Sequence, residues 1–121
     1  MEGVILKNYT PHEITIFADN VPIETFAPEE NSIRLVESRK SGTGTFLNIP
    51  WVFPAKYVSL INLPDDRDCN IIVSALVGQY LKDNMPACFK GVYAPDTGPD
   101  GVVRDSSTGR ILGVSRLIKY C

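Results

Sequence analysis

The sequence predicts a mainly β (α+β) fold, a compact antiparallel β-sheet or barrel-like domain with one short helix. Short runs rich in β-branched and aromatic residues recur along the chain, separated by proline, glycine and asparagine turn signals. Only one stretch has the residue spacing of an amphipathic helix. With 121 residues, 44% of them hydrophobic, the chain fits one domain and is too apolar to stay disordered. We therefore expect residues 1–121 to form a single β-rich domain.

In the first half, the pattern predicts strands separated by polar breaks. Pro11 interrupts the first run because it lacks a backbone donor. Asp19 and Asn20 predict a turn, since both tolerate a positive φ. Pro22 places the strand that follows at a sheet edge. The predicted strands are 4–8, 13–18, 21–26, 33–37 and 57–63.

Residues 38–54 are a polar, glycine-containing stretch followed by aromatics and prolines. We expect a long surface excursion that folds back onto the body of the domain, and loops of this length are often functional. Phe46, Trp51 and Phe53 lie within it, near the cationic pair Arg39 and Lys40. Packing is the usual role of such aromatics, with stacking on a base or binding of a partner as the alternative.

The predicted helix follows a strand at 69–73, with Ser74 as its N-cap. An apolar stripe of Leu76, Val77, Tyr80 and Leu81 marks its buried face, and Met85-Pro86 ends it. Beyond it, a turn-rich segment at 94–101 leads into a hairpin formed by 102–105 and 110–114 around a loop at 106–109.

Charge and composition exclude several classes of protein. The net charge is −2, with 12 basic and 14 acidic residues, which argues against a duplex nucleic acid partner. No run of ~20 apolar residues predicts a membrane span, and the start of the chain predicts no secretory signal. Cys69, Cys88 and Cys121 are an odd, widely spaced set, which favours a reducing, cytoplasmic location, although a Cys69–Cys88 bridge stays possible.

Motifs for catalysis and for metal binding are missing, so we predict no catalytic residues, no metal ligands and no cofactor. His12 is the only histidine and has no nucleophile near it in sequence. Asp65, Asp66 and Asp68 predict a solvated turn, since their spacing does not fit a calcium loop. The glycines at 42 and 44 are not followed by the lysine and helix of a phosphate loop.

Two overlapping turns precede Arg104 and Asp105, and they carry Asp96 and Asp100. This pattern brings carboxylates, backbone amides and a guanidinium into one region, which suits a ligand with hydroxyl and phosphate groups. A structural Arg–Asp network is the alternative. The predicted ligand-binding residues are Arg104, Asp105, Asp96, Thr97, Gly98, Tyr93 and His12.

Several stretches resemble a family of small proteins from phage and prophage genomes. The segment Asn8-Tyr9-Thr10-Pro11-His12 resembles that family's N-L-T-P-H opening, with Tyr9 in place of an aliphatic residue. Residues 71–77 resemble its I-V-S-x-L-V step from strand to helix. Residues 93–99, 103–105 and 110–114 resemble its C-terminal V-R-D…G-V signature. The resemblance implies an intracellular protein made during infection or lysogeny, in the cytoplasm of the host.

Three functions follow as hypotheses. The first is non-enzymatic sequestration of a small nucleotide-like signalling molecule, an anti-defence role, by a homo-oligomer. The second is a structural or protein-binding oligomeric module that uses the aromatic excursion. The third, a metal-dependent enzyme acting on nucleotides, requires catalytic carboxylates such as Asp96 and has the least support. Small size favours an oligomer, because 121 residues leave little chain for an enclosed pocket beside a core.

Overall fold

The computed structural model describes residues 5–121. Val4 and the N-terminal residues that predict the absence of a signal lie outside this range. Within it, the chain forms twelve strands and one helix. In chain order these are β1 (Leu6–Asn8), β2 (Ile14–Ala18), β3 (Val21–Phe26), β4 (Arg34–Arg39), β5 (Thr43–Phe46), β6 (Ile49–Val52), β7 (Ala55–Ile61), β8 (Asn70–Ile72), α1 (Ala75–Asn84), β9 (Gly91–Pro95), β10 (Val102–Arg104), β11 (Ile111–Val114) and β12 (Leu117–Lys119).

The prediction of a mainly β protein with one short helix is confirmed, since 46% of the chain is strand. The predicted antiparallel sheet is wrong in part, because the four sheets are mixed and none of them closes into a barrel. The reason lies in the connection of β8 to β9. Helix α1 lies between these strands in sequence and they pair in parallel, as a helical crossover permits and a tight turn does not.

Two four-stranded sheets form the body. The first has the order β1-β8-β9-β12 and the second the order β10-β11-β2-β3. Strand β8 lies between the two cores of the protein. Ile71 and Val73 pack into the larger one together with Val77 and Leu81 of the helix, while Ile72 packs with Ile14 and Val114 of the second sheet. These side chains are buried, and their alternation follows from the two-residue period of an extended chain.

The helix begins and ends where the sequence predicts. The Ser74 hydroxyl accepts a hydrogen bond from the Val77 N–H at 3.3 Å, which satisfies a backbone donor that the first turn leaves free. Val77, Gly78 and Leu81 form the buried face. Leu76 is exposed, so it does not belong to the buried stripe. The turn at Asp19 and Asn20 is also confirmed, since both residues have positive φ.

The prediction that residues 38–54 form a loop folding back onto the body is wrong. Strands β5 and β6 pair with each other as a separate two-stranded sheet, and the side chains of β6 are exposed. Pro50 lies inside β6, which is possible because a two-stranded sheet has only edge strands. Two further strands are absent from the prediction, β9 and the three residues of β12, and these two strands pair with each other.

Strands β4 and β7 form another two-stranded sheet. Strands β5 and β6 lie between them in sequence and follow the end of this sheet at which Arg39 pairs with Ala55. We call residues 34–61 the arm and residues 43–52 its distal hairpin. The arm joins the body at Leu35 and Leu60, which pair with each other and pack against the larger core. The Tyr80 hydroxyl of the helix also donates to the Val58 carbonyl at 3.1 Å. These contacts fix the near half of the arm.

Among the described residues there is no helix long and apolar enough to cross a membrane.

Candidate functional site

Asp96 is the best-buried acid of the predicted site, with 8% of its surface exposed. Its Oδ2 accepts a hydrogen bond from Arg116 Nε at 2.6 Å, and its Oδ1 accepts one from the Gly98 N–H at 3.0 Å. The Asp96 backbone N–H donates to the Arg116 carbonyl as well. The sequence pattern does not predict the pairing of Asp96 with Arg116, because twenty residues separate the two and only the β9–β12 pairing brings them together.

The electrostatics of this pair follow from its contacts. The Arg116 guanidinium holds the pKa of the Asp96 carboxyl below its ordinary value, and the Gly98 N–H lowers it further. The same bond raises the pKa of Arg116. Hydrogen bonds to the charged form of an acid stabilise that form, so Asp96 is an anion that is already neutralised within the chain.

Arg104 and Asp105 shape the loop between β10 and β11. Arg104 Nη1 donates to the Gly109 carbonyl at 2.8 Å. Asp105 Oδ1 accepts from the backbone N–H groups of Ser107 at 2.7 Å and Thr108 at 3.2 Å. This is the local bonding by which aspartate holds a turn. The arrangement matches the structural alternative in part, since each side chain bonds the backbone and no ion pair joins the two among the described contacts.

Two shallow surface depressions meet at Arg104. One, of about 480 Å³, is lined by Arg104 with Thr97, Pro99 and Val102. The other, of about 410 Å³, is lined by Arg104 and Asp105 together with Phe17, Asn20, Val103, Ser106, Ser107 and Leu112. Thr97 and Asp105 of the predicted site therefore line neighbouring depressions that share Arg104.

The remaining predicted residues are placed elsewhere. Gly98 lies in the turn that holds Asp96. Tyr93 is half-buried on β9, with Lys119 Nζ 6.0 Å from the centre of its ring. His12 is exposed, and its backbone carbonyl accepts hydrogen bonds from the side chains of Asn8 and Thr10. Tyr93 and His12 line neither depression at Arg104.

Asn8 is the polar residue that sequence analysis missed. Its side chain is buried, with 1% exposed, and Nδ2 donates to the carbonyls of His12 at 2.8 Å and Phe26 at 2.9 Å. Its Oδ1 accepts from the Thr10 N–H at 2.9 Å and the Thr10 hydroxyl at 2.6 Å. The Asn8-to-His12 motif thus holds the turn between β1 and β2 through the Asn8 amide. A buried amide uses all of its bonding capacity in this way.

A second depression of mixed cationic and aromatic character lies on the arm. It has a volume of about 460 Å³ and is lined by Ser38, Arg39, Lys40, Phe53, Pro54 and Lys56. Arg39 and Lys40 beside Phe53 were visible in the sequence. Lys56 was not, because only the pairing of β4 with β7 brings it opposite Ser38.

The distal hairpin exposes apolar side chains at its end. Phe46 is 70% exposed, Leu47 79% and Ile49 63%. Leu47 and Asn48 form the two-residue turn, and both have positive φ, +52° and +64°. This backbone suits a hairpin, and asparagine adopts it readily. A leucine there is unusual, because its side chain crowds the backbone in the left-handed region.

Within the described part of the chain, the cysteines form no disulfide and the acidic residues form no metal site. Cys69, Cys88 and Cys121 are all free thiols, so the possible Cys69–Cys88 bridge is absent. No group of three or more histidine, cysteine and acidic side chains within residues 5–121 is placed to hold a metal ion. Asp66 Oδ1 instead accepts from the Asp68 N–H, as expected for the polar turn.

Comparison of the chain with protein-family models, with curated proteins and with solved structures found no match in any of the three.

Proposed function

We propose that this protein is a self-associating structural or protein-binding module whose arm docks on a second copy of the chain. The observation that carries the proposal is the apolar end of the distal hairpin. Phe46, Leu47 and Ile49 are the most exposed large apolar residues of the described chain, and they lie side by side at one turn. A contiguous apolar surface of this kind marks an interaction site more often than scattered apolar residues do.

The backbone of the hairpin supports the same proposal. An isolated two-stranded ribbon is marginally stable in water, and β5 and β6 pair with no third strand of the described chain. Each of them therefore offers one open edge to a partner. The unusual φ of Leu47 adds conformational energy of about 1–3 kcal/mol. The Leu47 side chain is 79% exposed, so a contact made by it with a partner is the simplest reason for a leucine at this position.

Charge favours a second copy as the partner. The arm has four basic residues and one acidic residue, a net charge of +3. Because the whole chain has a net charge of −2, the rest of the chain carries −5. Surfaces of opposite sign attract one another and speed encounter. The arm of one copy is thus electrostatically complementary to the body of another.

A mainly apolar depression for the hairpin end lies where the arm joins the body. It has a volume of about 290 Å³ and lies between the base of the arm and the helix. Ile33, Leu35 and the exposed Leu76 contribute to its lining, together with Tyr9, Pro11, Tyr57 and Val77. Apolar side chains that enter such a depression remove apolar surface from water on both partners, at about 25 cal/mol per Å².

The test is sedimentation velocity on the full-length chain over a wide range of concentration. We expect a reversible oligomer in the parent protein and a monomer in the variant Leu47→Asn combined with Phe46→Thr. Asparagine accepts a positive φ better than leucine, so this variant keeps the hairpin turn while it loses the apolar end. Ile23→Thr, an exposed apolar residue on β3, is the matched control and should leave association unchanged.

Two results would contradict the proposal. One is a parent protein that stays monomeric at every concentration. The other is an oligomer that the hairpin variant does not weaken, which would place the interface on another surface.

The second candidate is binding and sequestration of a small nucleotide-like signalling molecule, an anti-defence role in a phage-type protein. The observation that favours it is the surface at Arg104, where two depressions meet and Thr97 and Asp105 lie nearby. Arginine pairs with phosphate, and hydroxyl and carboxylate groups bond ribose. Three of the seven residues predicted for this ligand lie on that surface.

Thermal shift and equilibrium dialysis with cyclic nucleotides and cyclic ADP-ribose isomers test this candidate. We expect a raised unfolding temperature that Arg104→Ala abolishes, with Arg110→Ala as a control of equal charge on the same hairpin. Absence of both a shift and retention for all of these ligands would rule the candidate out.

A further inference from the structure

The basic depression on the arm has no counter-charge of its own. Arg39, Lys40 and Lys56 line it together, and no carboxylate of residues 5–121 lines it with them. The acid closest in sequence, Glu37, lines the apolar depression instead. None of the ion pairs found among residues 5–121 uses any of the three cations.

Three like charges around one depression repel one another, and an anion between them relieves that repulsion. Arginine offers a fork of N–H donors that fits two phosphate oxygens, and lysine supplies a point charge. The residue types present are therefore those that bind a phosphate group.

An aromatic ring forms part of the same depression and is held in place. Lys40 Nζ lies 4.8 Å from the centre of the Phe53 ring. On another side Trp51 meets Phe53 edge to face, with 5.4 Å between the ring centres. Gly42 has a φ of +134°, and a Cβ there would lie 3.0 Å from Phe53 Cε2. The glycine thus leaves room for the ring, and the lysine and the tryptophan restrict its orientation.

We propose that this depression, lined by Arg39, Lys40, Lys56 and Phe53, binds a nucleoside monophosphate-like ligand, with the phosphate among the cations and the base against the aromatic ring. The volume of about 460 Å³ falls in the range of ~300–1,000 Å³ that small-molecule sites occupy. Stacking of a base on an aromatic side chain contributes independently of base identity. The site therefore selects for a phosphate and a flat ring rather than for a particular base.

This inference goes beyond self-association and stands apart from the surface at Arg104. The depression lies at the root of the distal hairpin, where Ser38 pairs with Lys56, whereas the hairpin end that docks on a second copy is Phe46, Leu47 and Ile49. The hairpin-end variant of the previous section should consequently still bind the ligand. This result separates failure of the association proposal from failure of the present one.

The experiment is isothermal titration calorimetry of the full-length chain with AMP, with adenosine and with inorganic phosphate as separate ligands. We expect AMP to bind most tightly, because it alone of the three has both a phosphate for the cations and a base for the aromatic ring. Added salt should weaken AMP binding because it screens exposed charges. The variant Lys40→Gln with Lys56→Gln should lose about tenfold or more in affinity, equal to 1.4 kcal/mol or more.

Two further variants make the outcome specific. Lys82→Gln with Lys90→Gln removes the same charge from the body and should leave AMP affinity unchanged. Phe53→Leu should weaken AMP and leave inorganic phosphate unaffected, which distinguishes a nucleotide site from a plain phosphate site. Circular dichroism confirms that each variant folds, and Lys56→Arg, which keeps the charge, should retain binding.

The inference is overturned if AMP does not bind the parent protein. It is also overturned if the body control loses as much affinity as the arm variant. Loss of binding in Arg104→Ala, with the arm variant unaffected, would assign the nucleotide to the other surface instead.

Discussion

The indole of Trp51 occupies the space that a side chain at Gly44 would fill. The two residues pair directly across β5 and β6, and a Cβ built on Gly44 would lie 2.7 Å from Cε2 and 3.0 Å from Nε1 of the indole. The two glycines thus have a structural role, since Gly42 accommodates the ring of Phe53 and Gly44 that of Trp51.

Gly44→Ala should displace Trp51 and loosen the distal hairpin. The added methyl group overlaps the indole, and Trp51 is 43% exposed, so the ring moves away from the methyl group. We expect a changed tryptophan emission maximum, which reports on Trp51 alone because the chain has one tryptophan. Thr45→Ala, on the neighbouring residue of β5, should leave the emission unchanged. An unaltered spectrum in Gly44→Ala would show that the ring does not pack there.

Asn8→Ala should destabilise the whole domain. The substitution removes the Asn8 partner of the Phe26 carbonyl and of the Thr10 N–H, while the His12 carbonyl keeps the Thr10 hydroxyl as a donor. Each unsatisfied buried group costs about 1–3 kcal/mol. We expect a loss of about 3–4 kcal/mol in the free energy of unfolding, measured by urea denaturation.

The control for this prediction is Asn31→Ala, where the asparagine is exposed, with an expected change within ~0.5 kcal/mol. Equal stability of Asn8→Ala and the parent would mean that the turn from Asn8 to His12 holds without the amide.

Protonation of Asp96 should contribute to the loss of folding stability at acidic pH. Its pKa in the folded chain is lowered from the ordinary 3.8, so the folded state binds the proton more weakly than the unfolded state does. The stabilisation is therefore fully present above the ordinary value and is lost as the pH falls from there through the lowered pKa.

The measurement is the unfolding temperature between neutral pH and the lowest pH at which the chain stays folded. Asp96→Asn should be less stable than the parent at neutral pH, with the difference shrinking as the pH falls. Asp100 is exposed, and Asp100→Asn serves as the control. A difference that stays constant with pH would contradict the role of the ion pair.

Cys69 should be the slowest of the three cysteines to react. It is 1% exposed, and burial raises the pKa of its thiol, so both access and the reactive thiolate are reduced. We expect Cys69 to react with a thiol reagent only at the rate of unfolding, as followed by mass spectrometry of peptides. Cys88 is half-buried and should react first. Equal rates for the two would show that the core around Cys69 opens in the folded state.

Part of the fold follows from sequence alone. The mainly β character, the helix with its Ser74 cap and the turn at Asp19 and Asn20 each depend on neighbouring residues, and local pattern predicts them well. The hairpin at 43–52 was missed because Pro50 and the two glycines argue against a strand in an ordinary sheet. They are tolerated in a two-stranded ribbon with open edges.

The tertiary structure decided the pairings between distant residues. The sequence places Asp96 beside Arg104 and Asp105 in the chain, yet the carboxylate bonds Arg116, because β12 lies beside β9 in the sheet. It places Lys56 far from Arg39, yet strand pairing brings Lys56 opposite Ser38, next to Arg39. Sequence spacing predicts contacts within one helix or strand. The ion pair that a side chain forms with a distant residue depends instead on which strands are neighbours in a sheet. For this protein, composition and periodicity determined the classes of structure, and strand order determined which charged groups are neutralised within the chain.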